Sequence, residues 1–352
     1  MPNPPHKPFS RYALRDDQAP TGDLRREEFE SEVSARWFTP QLDRKLLKQL
    51  MKRSDAESLW NYGLWIALLV ASGVAGFFTW GTWWAVPCFL VYGVLYSTSD
   101  HRAHELSHGT PFKTRWLNEA LYQLNAFMAL HEGHYWRWSH TRHHTHTLIV
   151  GKDPEIAFPR PANRLHALLD FFFLKSGAVL LRGIALQAVG RISPDGEHFI
   201  PSSERSKVIR SARIFMLVIA AVIAACIYSQ SILPAMYAVL PRFYGGFFAQ
   251  FFNATQHTGL AENVYDHRLN TRTFLTNPVF QWLYCNMNFH IEHHSLPMVP
   301  WHQLPKLHEA IRSQCPPVYP SVWAAWAEIL PALQRQAYDA SFQVARPVPG
   351  AV

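Results

Sequence analysis

The sequence predicts an all-α integral membrane protein with four transmembrane helices and a cytoplasmic helical cap, and three observations predict this fold. Residues 58–99 contain no charged side chain, and residues 214–252 contain Arg242 as their only charge. A bilayer-spanning helix needs roughly 20 apolar residues, so each run is long enough for two spans joined by a tight turn. The chain also has 19 histidines in 352 residues, and several cluster just beyond the ends of these runs.

The four predicted spans cover about residues 59–78, 83–103, 211–230 and 233–252, with turns near 81–87 and 229–234. A buried soluble core can also produce long apolar runs, but two runs of hairpin length favour the membrane. The two turns contain no Lys or Arg, whereas nearly all basic residues lie in three segments, 1–57, 100–210 and 253–352. The positive-inside rule then places these segments and both termini in the cytoplasm, with the chain in the cytoplasmic membrane.

The remaining elements follow from local patterns. An N-terminal cytoplasmic segment, 1–57, contains leucines at helical spacing among basic residues at 41–53, which predicts an amphipathic helix on the membrane surface or in solvent. Residues 165–186 carry three charges, and a fifth span there would move the last histidines across the membrane, so we predict an interfacial segment. Residues 58–310 form the predicted membrane domain, and 311–352 form a C-terminal cap and tail. The net charge of +7 fits an anionic lipid leaflet, and no motif indicates nucleic-acid binding.

Four histidine-containing groups follow or flank the predicted spans: HELSH (104–108), HTRHH (140–144), NATQH (253–257) and HIEHH (290–294). Their polar residues are three or four positions apart, which puts each group on one face of a helix. Neutral imidazole is a good ligand for iron, zinc or copper. A single histidine is as often a surface or hydrogen-bonded residue, but repeated spacing favours a metal site. The candidate ligands are His104, His108, His140, His143, His144, His257, His290, His293 and His294, with Asn253 as a further group acting directly or through a water.

These groups resemble the three histidine boxes of the membrane-bound fatty acid desaturase and hydroxylase superfamily. The resemblance covers roughly residues 59–310, and HYWRWSHTRHH is similar to the family's aromatic approach to its second box. The stretches QHTGLAENVYDHRLN and NMNFHIEHHSLPMVPWHQLPKLHE look most like a bacterial subgroup. That subgroup is similar both to acyl desaturases and to the rhizopine oxygenase. The resemblance implies a four-span, cytoplasm-facing fold with two iron ions shared among the nine histidines.

The resemblance also implies an O2-dependent oxidoreductase, and it leaves the reaction open. One hypothesis is a desaturase acting on an acyl lipid, and the other is a hydroxylase or demethylating monooxygenase acting on another substrate. A zinc-dependent membrane hydrolase or receptor-like protein is the competing class, and its metal content would distinguish it. The sequence contains no HPGG-type haem motif of a fused cytochrome b5. We therefore expect a separate electron donor, which would be a ferredoxin, a Rieske-type ferredoxin or a rubredoxin with its reductase.

Several residues beside the boxes have predicted supporting roles. His134 is expected to support the site from behind by orienting a ligand or a carboxylate. His101 shares a helical face with His104 and His108, so it is expected either to support the site in the same way or to serve as a spare ligand. Carboxylates near the boxes are expected to pair with imidazole N–H groups, namely Glu105, Asp153, Glu155 and Glu292. Arg242 lies near mid-membrane in the fourth predicted span, and we expect no acidic partner for it within the spans. One interpretation is that Arg242 binds backbone carbonyls or extends to the membrane interface. The other is that it binds a polar group of the substrate at the closed end of a tunnel.

Overall fold

A computed structural model describes residues 37–349, so the part of the predicted N-terminal segment before residue 37 lies outside the described residues. Within 37–349 the chain forms helices and turns, without a strand, and two isolated bridges join Thr273 to Phe289 and Phe274 to Tyr319. The prediction of an all-α fold is therefore confirmed for this part of the chain. The helices up to residue 188 are α1 Arg44–Leu50, α2 Asp55–Phe78, α3 Ala85–Ser97, α4 Ser99–Ser107, α5 Arg115–Ala129, α6 Gly133–His146, α7 Arg164–Phe171 and α8 Leu174–Ala188.

The second half of the described chain is more finely divided. One long helix is followed by a series of short ones, in which Pro or Gly stands at several of the boundaries. These helices are α9 Pro194–Phe199, α10 Arg205–Ser229, α11 Leu233–Ala238, α12 Pro241–Tyr244, α13 Gly246–Asn253, α14 His267–Asn270, α15 Pro278–Leu283, α16 His290–Ser295, α17 Leu304–Ile311 and α18 Val322–Gln336. Two 3₁₀ turns, Trp301–Gln303 and Arg312–Gln314, flank α17.

Two of the described helices are long and apolar enough to cross a membrane. They are α2 and α10, and they correspond to the predicted spans 59–78 and 211–230. Ser54 caps the start of α2 by accepting a hydrogen bond from the backbone of Glu57, while Asp55 and Glu57 favour the positive end of the helix dipole. Each of these helices continues beyond its apolar stretch into polar residues at its N-terminal end.

The other two predicted spans are interrupted helices, so four continuous membrane-spanning helices are not confirmed. The segment 83–103 divides at Thr98 into α3 and α4, and α3 has 13 residues. At a 1.5 Å rise per residue α3 is about 20 Å long, which is less than the roughly 30 Å of a bilayer core. The segment 233–252 divides into α11, α12 and α13, because Pro241 lacks a backbone N–H and Gly245 separates the last two helices.

The two interrupted segments cross with their backbones in close contact. A Cβ atom added to Gly245 would lie 2.0 Å from the carbonyl group of Gly93, and a Cβ atom on Gly93 would lie 2.2 Å from the ring of Tyr244. Only glycine fits at either position. Small residues at such crossings let helix backbones approach closely, and the approach here brings α13 alongside α3.

The outward faces of these helices are apolar. On α2, Trp60 is 76% exposed and Phe78 is 81% exposed, and on α10 Leu217 and Ile227 are similarly exposed. The segment 165–186, predicted to be interfacial, forms α7 and α8 with a break at Phe173, whose φ is positive, and it also exposes leucines. Apolar surface this extensive on a folded chain is typical of a membrane or partner interface.

The C-terminal cap packs on the same core as the last histidine group. Phe289 and Ile291 lie beside Leu304 and Ile311 of α17 and Val322 of α18 in one buried cluster. Leu50 of α1 is also buried in this cluster, with Leu42 and Leu47 packed against it. The apolar side of α1 therefore faces the protein. Packing against α1, α17 and α18 therefore holds the segment that carries the last histidine group.

Candidate metal centre

Three helices and one turn carry the nine candidate histidines. His104 lies on α4, and His108 ends that helix as its C-cap residue. His140, His143 and His144 lie on α6, and His290, His293 and His294 lie on α16. His257 lies in the turn after α13. The i, i+3 and i+4 spacing in α6 and α16 turns three imidazoles of each helix towards one region.

The structure brings eight of these histidines into two adjacent groups. In the first group, potential ligand atoms from five residues lie within 4.8 Å of one another: His104, His108, His140, His144 and His293. In the second, the same limit holds for His143, His257 and His294. His290, the ninth, adjoins the second group, because its Nε2 lies 3.1 Å from Nε2 of His294. The groups touch through His144 and His294, whose rings stack at 4.2 Å.

Outer partners determine which ring nitrogen carries the proton in several of these histidines. His257 Nδ1 lies 2.9 Å from the carbonyl oxygen of Asn270, which can only accept, so Nδ1 carries the proton. The Thr147 hydroxyl donates to the carbonyl of His143 and so accepts from Nδ1 of His294 at 3.1 Å. In each case the lone pair is left on Nε2.

Carboxylates hold two further imidazoles in the same way, and a third imidazole has a carboxylate nearby without a hydrogen bond to it. His143 Nδ1 donates to Asp153 at 2.9 Å, and His140 Nδ1 donates to Glu155 at 3.0 Å. Nδ1 of His293 lies 3.6 Å from Glu105. These pairs agree with the predicted role of the carboxylates. The fourth carboxylate, Glu292, pairs instead with His308, at 2.5 Å, outside the boxes.

The inward Nε2 atoms then face one another. Nε2 of His140 lies 3.2 Å from Nε2 of His108 and 3.1 Å from Nε2 of His144. Because Nδ1 of His140 carries the proton, its Nε2 presents a lone pair to both neighbours. Nε2 of His257 is buried without a hydrogen-bond partner among residues 37–349. Converging, unprotonated imidazole nitrogens are the donor set that a transition-metal ion requires, so the residues present fit metal ions.

Burial favours the neutral form in eight of the nine imidazoles. It lowers the pKa of His108 to about 4, and it lowers the pKa of the other candidate ligands apart from His143 well below the ordinary value. For His143, burial acts in the same direction, but the charge and hydrogen bond of Asp153 outweigh it and raise the pKa. A metal ligand must be deprotonated, so low pKa values suit this role.

The remaining predicted site residues lie around the two groups. Asn253 donates its side-chain N–H to Asp100 at 2.7 Å, which leaves its amide oxygen as the free end. His101 is buried and donates to the carbonyl of Leu283, with its ring edge against Tyr284. His134 is partly buried on α6, and its pKa is lowered by burial despite the neighbouring Glu119. Within residues 37–349 the side chains of His101 and His134 make no hydrogen bond to the nine candidate histidines, although His101 interacts electrostatically with His104.

The expectation that Arg242 has no acidic partner is wrong. Its guanidinium lies 3.2 Å from Asp100, a residue near the end of the second predicted span that the sequence interpretation overlooked. It also donates to the carbonyls of Ala129 and Ser97, and it lies 4.0 Å from the ring centroid of Phe173. The carbonyls it binds belong to neighbouring helices and not to the turn opened by Pro241.

Several supporting residues were not identified from sequence. Asp100 joins Arg242, Asn253 and His131, and its position directly before the first box was the available signal. Thr147 and Asn270 fix imidazole tautomers, but a threonine and a backbone carbonyl carry no recognisable pattern. Trp136 stacks on His140 at 4.7 Å, four residues before it on the same helix, so here helical spacing was a usable signal.

The comparisons with known proteins agree with this geometry. The family model described as "Fatty acid desaturase" matches residues 81–326, which include all four histidine groups. A search of curated proteins finds no match for the chain. The matched region covers more than half of the chain and contains both groups of converging imidazoles. The chain therefore belongs to the fatty acid desaturase family, a membrane-associated superfamily of oxidoreductases that act as desaturases or hydroxylases and are typically iron-dependent.

Proposed function

We propose that this protein is a membrane non-haem di-iron oxidase that uses O2 to desaturate an acyl lipid. The observation that carries the proposal is the convergence of nine buried or partly buried histidines from four separate segments. In four of them an outer partner holds the proton on Nδ1 and leaves the lone pair of Nε2 directed inward. One tetrahedral ion needs only three or four ligands. Two adjacent imidazole groups fit two ions, and family membership favours iron.

The ligands divide between the two ions in this proposal. One iron is held by His104, His108, His140, His144 and His293, which form the first group. The other is held by His143, His257, His294 and His290, with the free amide oxygen of Asn253 contributing through a water. The contact between His290 and His294 and the hydrogen bond from Asn253 to Asp100 support this division.

The chain's own residues orient and insulate the site. An iron pair held by these residues would use O2 and electrons to supply an oxidant for an unactivated C–H bond. Asp153 and Glu155 hold the imidazoles of His143 and His140 in one orientation and increase their basicity. His290 and His293 are almost fully buried, so bulk water is kept from the centre. Which carbon reacts depends on how the substrate is positioned.

The proposed topology has four spans with both termini in the cytoplasm of the cell, and the chain lies in the cytoplasmic membrane. The exposed apolar faces of α2 and α10 and the uncharged turns at 81–87 and 229–234 support it. The interrupted segments α3–α4 and α11–α13 complete the two hairpins, with their helix breaks packed against protein, as irregular backbone in a membrane requires. Residues 58–310 are the membrane domain, 1–57 the N-terminal segment and 311–352 the cap.

Electrons come from a separate protein in this proposal, a ferredoxin, a Rieske-type ferredoxin or a rubredoxin with its reductase. The test is to purify the chain, measure iron per chain, and follow O2 consumption with a donor system and lipid substrate. We expect two irons per chain, O2 consumption and an alkene product. An alcohol or a demethylated product would identify a hydroxylase or demethylating oxygenase instead. Zinc alone without O2 consumption would contradict the proposal.

A further inference from the structure

A pocket of about 260 Å³ lies at the N-terminal end of α2, away from the two histidine groups. One wall is a single face of α2, formed by Glu57, Trp60, Asn61 and Leu64 at helical spacing. Trp282 at the end of α15 and the turn that contains Trp301 and His302 form the other walls. The pocket thus joins the first apolar helix to the segment that follows the last histidine group.

Two hydrogen-bond donors on the pocket walls have no acceptor among residues 37–349. Asn61 is 4% exposed, and its side-chain nitrogen lacks a partner. The indole Nε1 of Trp282 is also buried and lacks a partner. Buried donors are nearly always hydrogen-bonded in native structures, so these two donors of pocket-lining residues are available to an acceptor. Both groups are neutral N–H donors, so each can bind an acceptor such as an oxygen atom.

A cation lies behind the same wall. Arg102 is 1% exposed, and its guanidinium carbon is 5.4 Å from the centroid of the Trp282 ring and 4.7 Å from that of Trp65. Its Nη1 donates to Thr98, but Nε and Nη2 lack partners in the described chain. No ion pair joins it to a carboxylate there. The charge of Arg102 behind the Trp282 wall favours an electronegative group on that side of the pocket, away from Glu57 on the opposite wall.

The rim of the pocket is apolar and faces outward. Trp60 and Leu64 are exposed at the start of the uncharged stretch of α2. Tryptophan is enriched at membrane interfaces, so this position suits the boundary of the bilayer. The one acidic residue of the lining, Glu57, is paired with Nδ1 of His302 at 3.0 Å. An apolar rim over buried donors suits an amphiphile with a long chain and an oxygen-bearing head.

The pocket is connected to the candidate metal centre by two contacts. The backbone N–H of Trp301 donates to Glu105 at 3.1 Å. The other oxygen of Glu105 lies 3.6 Å from Nδ1 of His293. A molecule in the pocket therefore lies next to the groups that support the first histidine cluster.

We propose that this pocket binds the carboxyl-derived head of the acyl substrate, whose oxygen accepts hydrogen bonds from Asn61 and Trp282. This inference rests on the proposed function, because it identifies the occupant as the acyl lipid that is oxidised. The substrate enters from the bilayer side, and the head is retained at the membrane boundary. Alkanes, which lack an acceptor, and alkyl amines, which carry a cation, do not satisfy these donors.

Equilibrium binding to the purified, iron-loaded full chain in detergent tests the inference, with radiolabelled stearic acid as the probe. We expect octadecane and octadecylamine to compete at least about 10-fold less well than unlabelled stearic acid. Asn61→Leu removes one donor at nearly constant side-chain shape, and Trp282→Phe removes the indole N–H while keeping an aromatic ring in the wall. Each should weaken stearic acid binding about 5- to 10-fold. Trp83→Phe, in the exposed turn after α2, is the matched control and should bind as the parent does.

Each alternative result has a defined meaning. Equal binding by the two variants and the parent, or equal competition by octadecane, overturns the inference. If bilayer phospholipid displaces stearic acid at matched concentration but is not oxidised by the iron-loaded chain, the pocket holds a structural lipid and the inference is overturned. Iron content is measured on every sample. If the parent holds no iron and consumes no O2 while the variants still weaken binding, the proposed function fails and the binding site stands.

Discussion

Arg242 and Asp100 form a buried ion pair of 3.2 Å, with side-chain exposures of 2% and 10%. Asp100 also accepts hydrogen bonds from His131 and Asn253, so one carboxylate connects Arg242 to a candidate ligand at the end of α13. A guanidinium at this depth is tolerated because it is paired and bonded to carbonyls.

Breaking this pair should destabilise the fold. Asp100→Asn leaves the Arg242 guanidinium buried without its counter-charge, and we expect a loss of about 3–5 kcal/mol of stability. The double variant Asp100→Leu with Arg242→Met should recover much of that loss. Thermal unfolding in detergent measures both. A single variant as stable as the parent would show that the ion pair contributes little.

The predicted substrate contact of Arg242 is tested by Arg242→Gln. If Arg242 binds a polar group of the substrate, KM should rise or the oxidised position should shift while iron content stays intact. Joint loss of iron and protein yield would instead support a structural role, as the partners of Arg242 suggest. Kinetics and metal analysis of the same preparation separate the two.

The ligand set predicts a sharp division among the histidines. Alanine at any of the nine should abolish activity and lower bound iron, because each removes a lone pair from the centre. His166→Ala and His198→Ala change exposed histidines and should leave both near normal. Metal analysis and O2 consumption of each variant provide the check. Full iron and activity in His143→Ala would show that the proposed centre is wrong.

The outer carboxylates should act on metal affinity. Asp153→Asn removes the negative charge that increases the basicity of His143 and replaces one acceptor oxygen by an N–H donor, so we expect iron affinity to fall by roughly 10- to 100-fold. Asp195→Asn, on the short helix α9, is the control. Iron retained after dialysis against graded chelator reports the affinity. Unchanged retention in the Asp153 variant would mean that His143 binds no metal.

The topology can be tested by thiol labelling in intact cells, with the parent chain as the background control. Cysteines introduced at Gly81 and Gln230 should react with an impermeant reagent from outside, because both lie in the uncharged turns. Cysteines at Asn163 and Lys306 should be protected. Outside labelling at Asn163 would mean that residues 165–186 cross the membrane and that the four-span topology fails.

Local spacing predicted more of the site than of the fold. The i, i+3 and i+4 pattern identified the histidines of α4, α6 and α16, because helical geometry alone turns such residues to one side. The division into groups of five and three could not be predicted, since it depends on how helices distant in sequence pack together. Apolar length indicated α2 and α10 but overestimated the continuity of the other two segments. There Thr98, Pro241 and Gly245 interrupt helices whose hydropathy is unbroken.

Supporting contacts were predictable only where a charge stood next to a box. Glu155 and Asp153 were identified because they closely follow HTRHH. Asp100 was missed because it was counted within an apolar span, although its partner is the one arginine of the fourth segment. The acceptor of His257 is a backbone carbonyl, and side-chain identity carries no information about it.

The close approach of Nε2 atoms in the first histidine group also affects how long the protein survives in the cell. Two Nε2 atoms 3.1–3.2 Å apart need a proton or a cation between them, so iron binding would replace weak contacts between imidazoles by metal bonds and stabilise the folded chain. Newly made protein in iron-starved cells would then open more often and be degraded faster than the loaded form. Its abundance would therefore follow the iron supply even at a constant rate of synthesis.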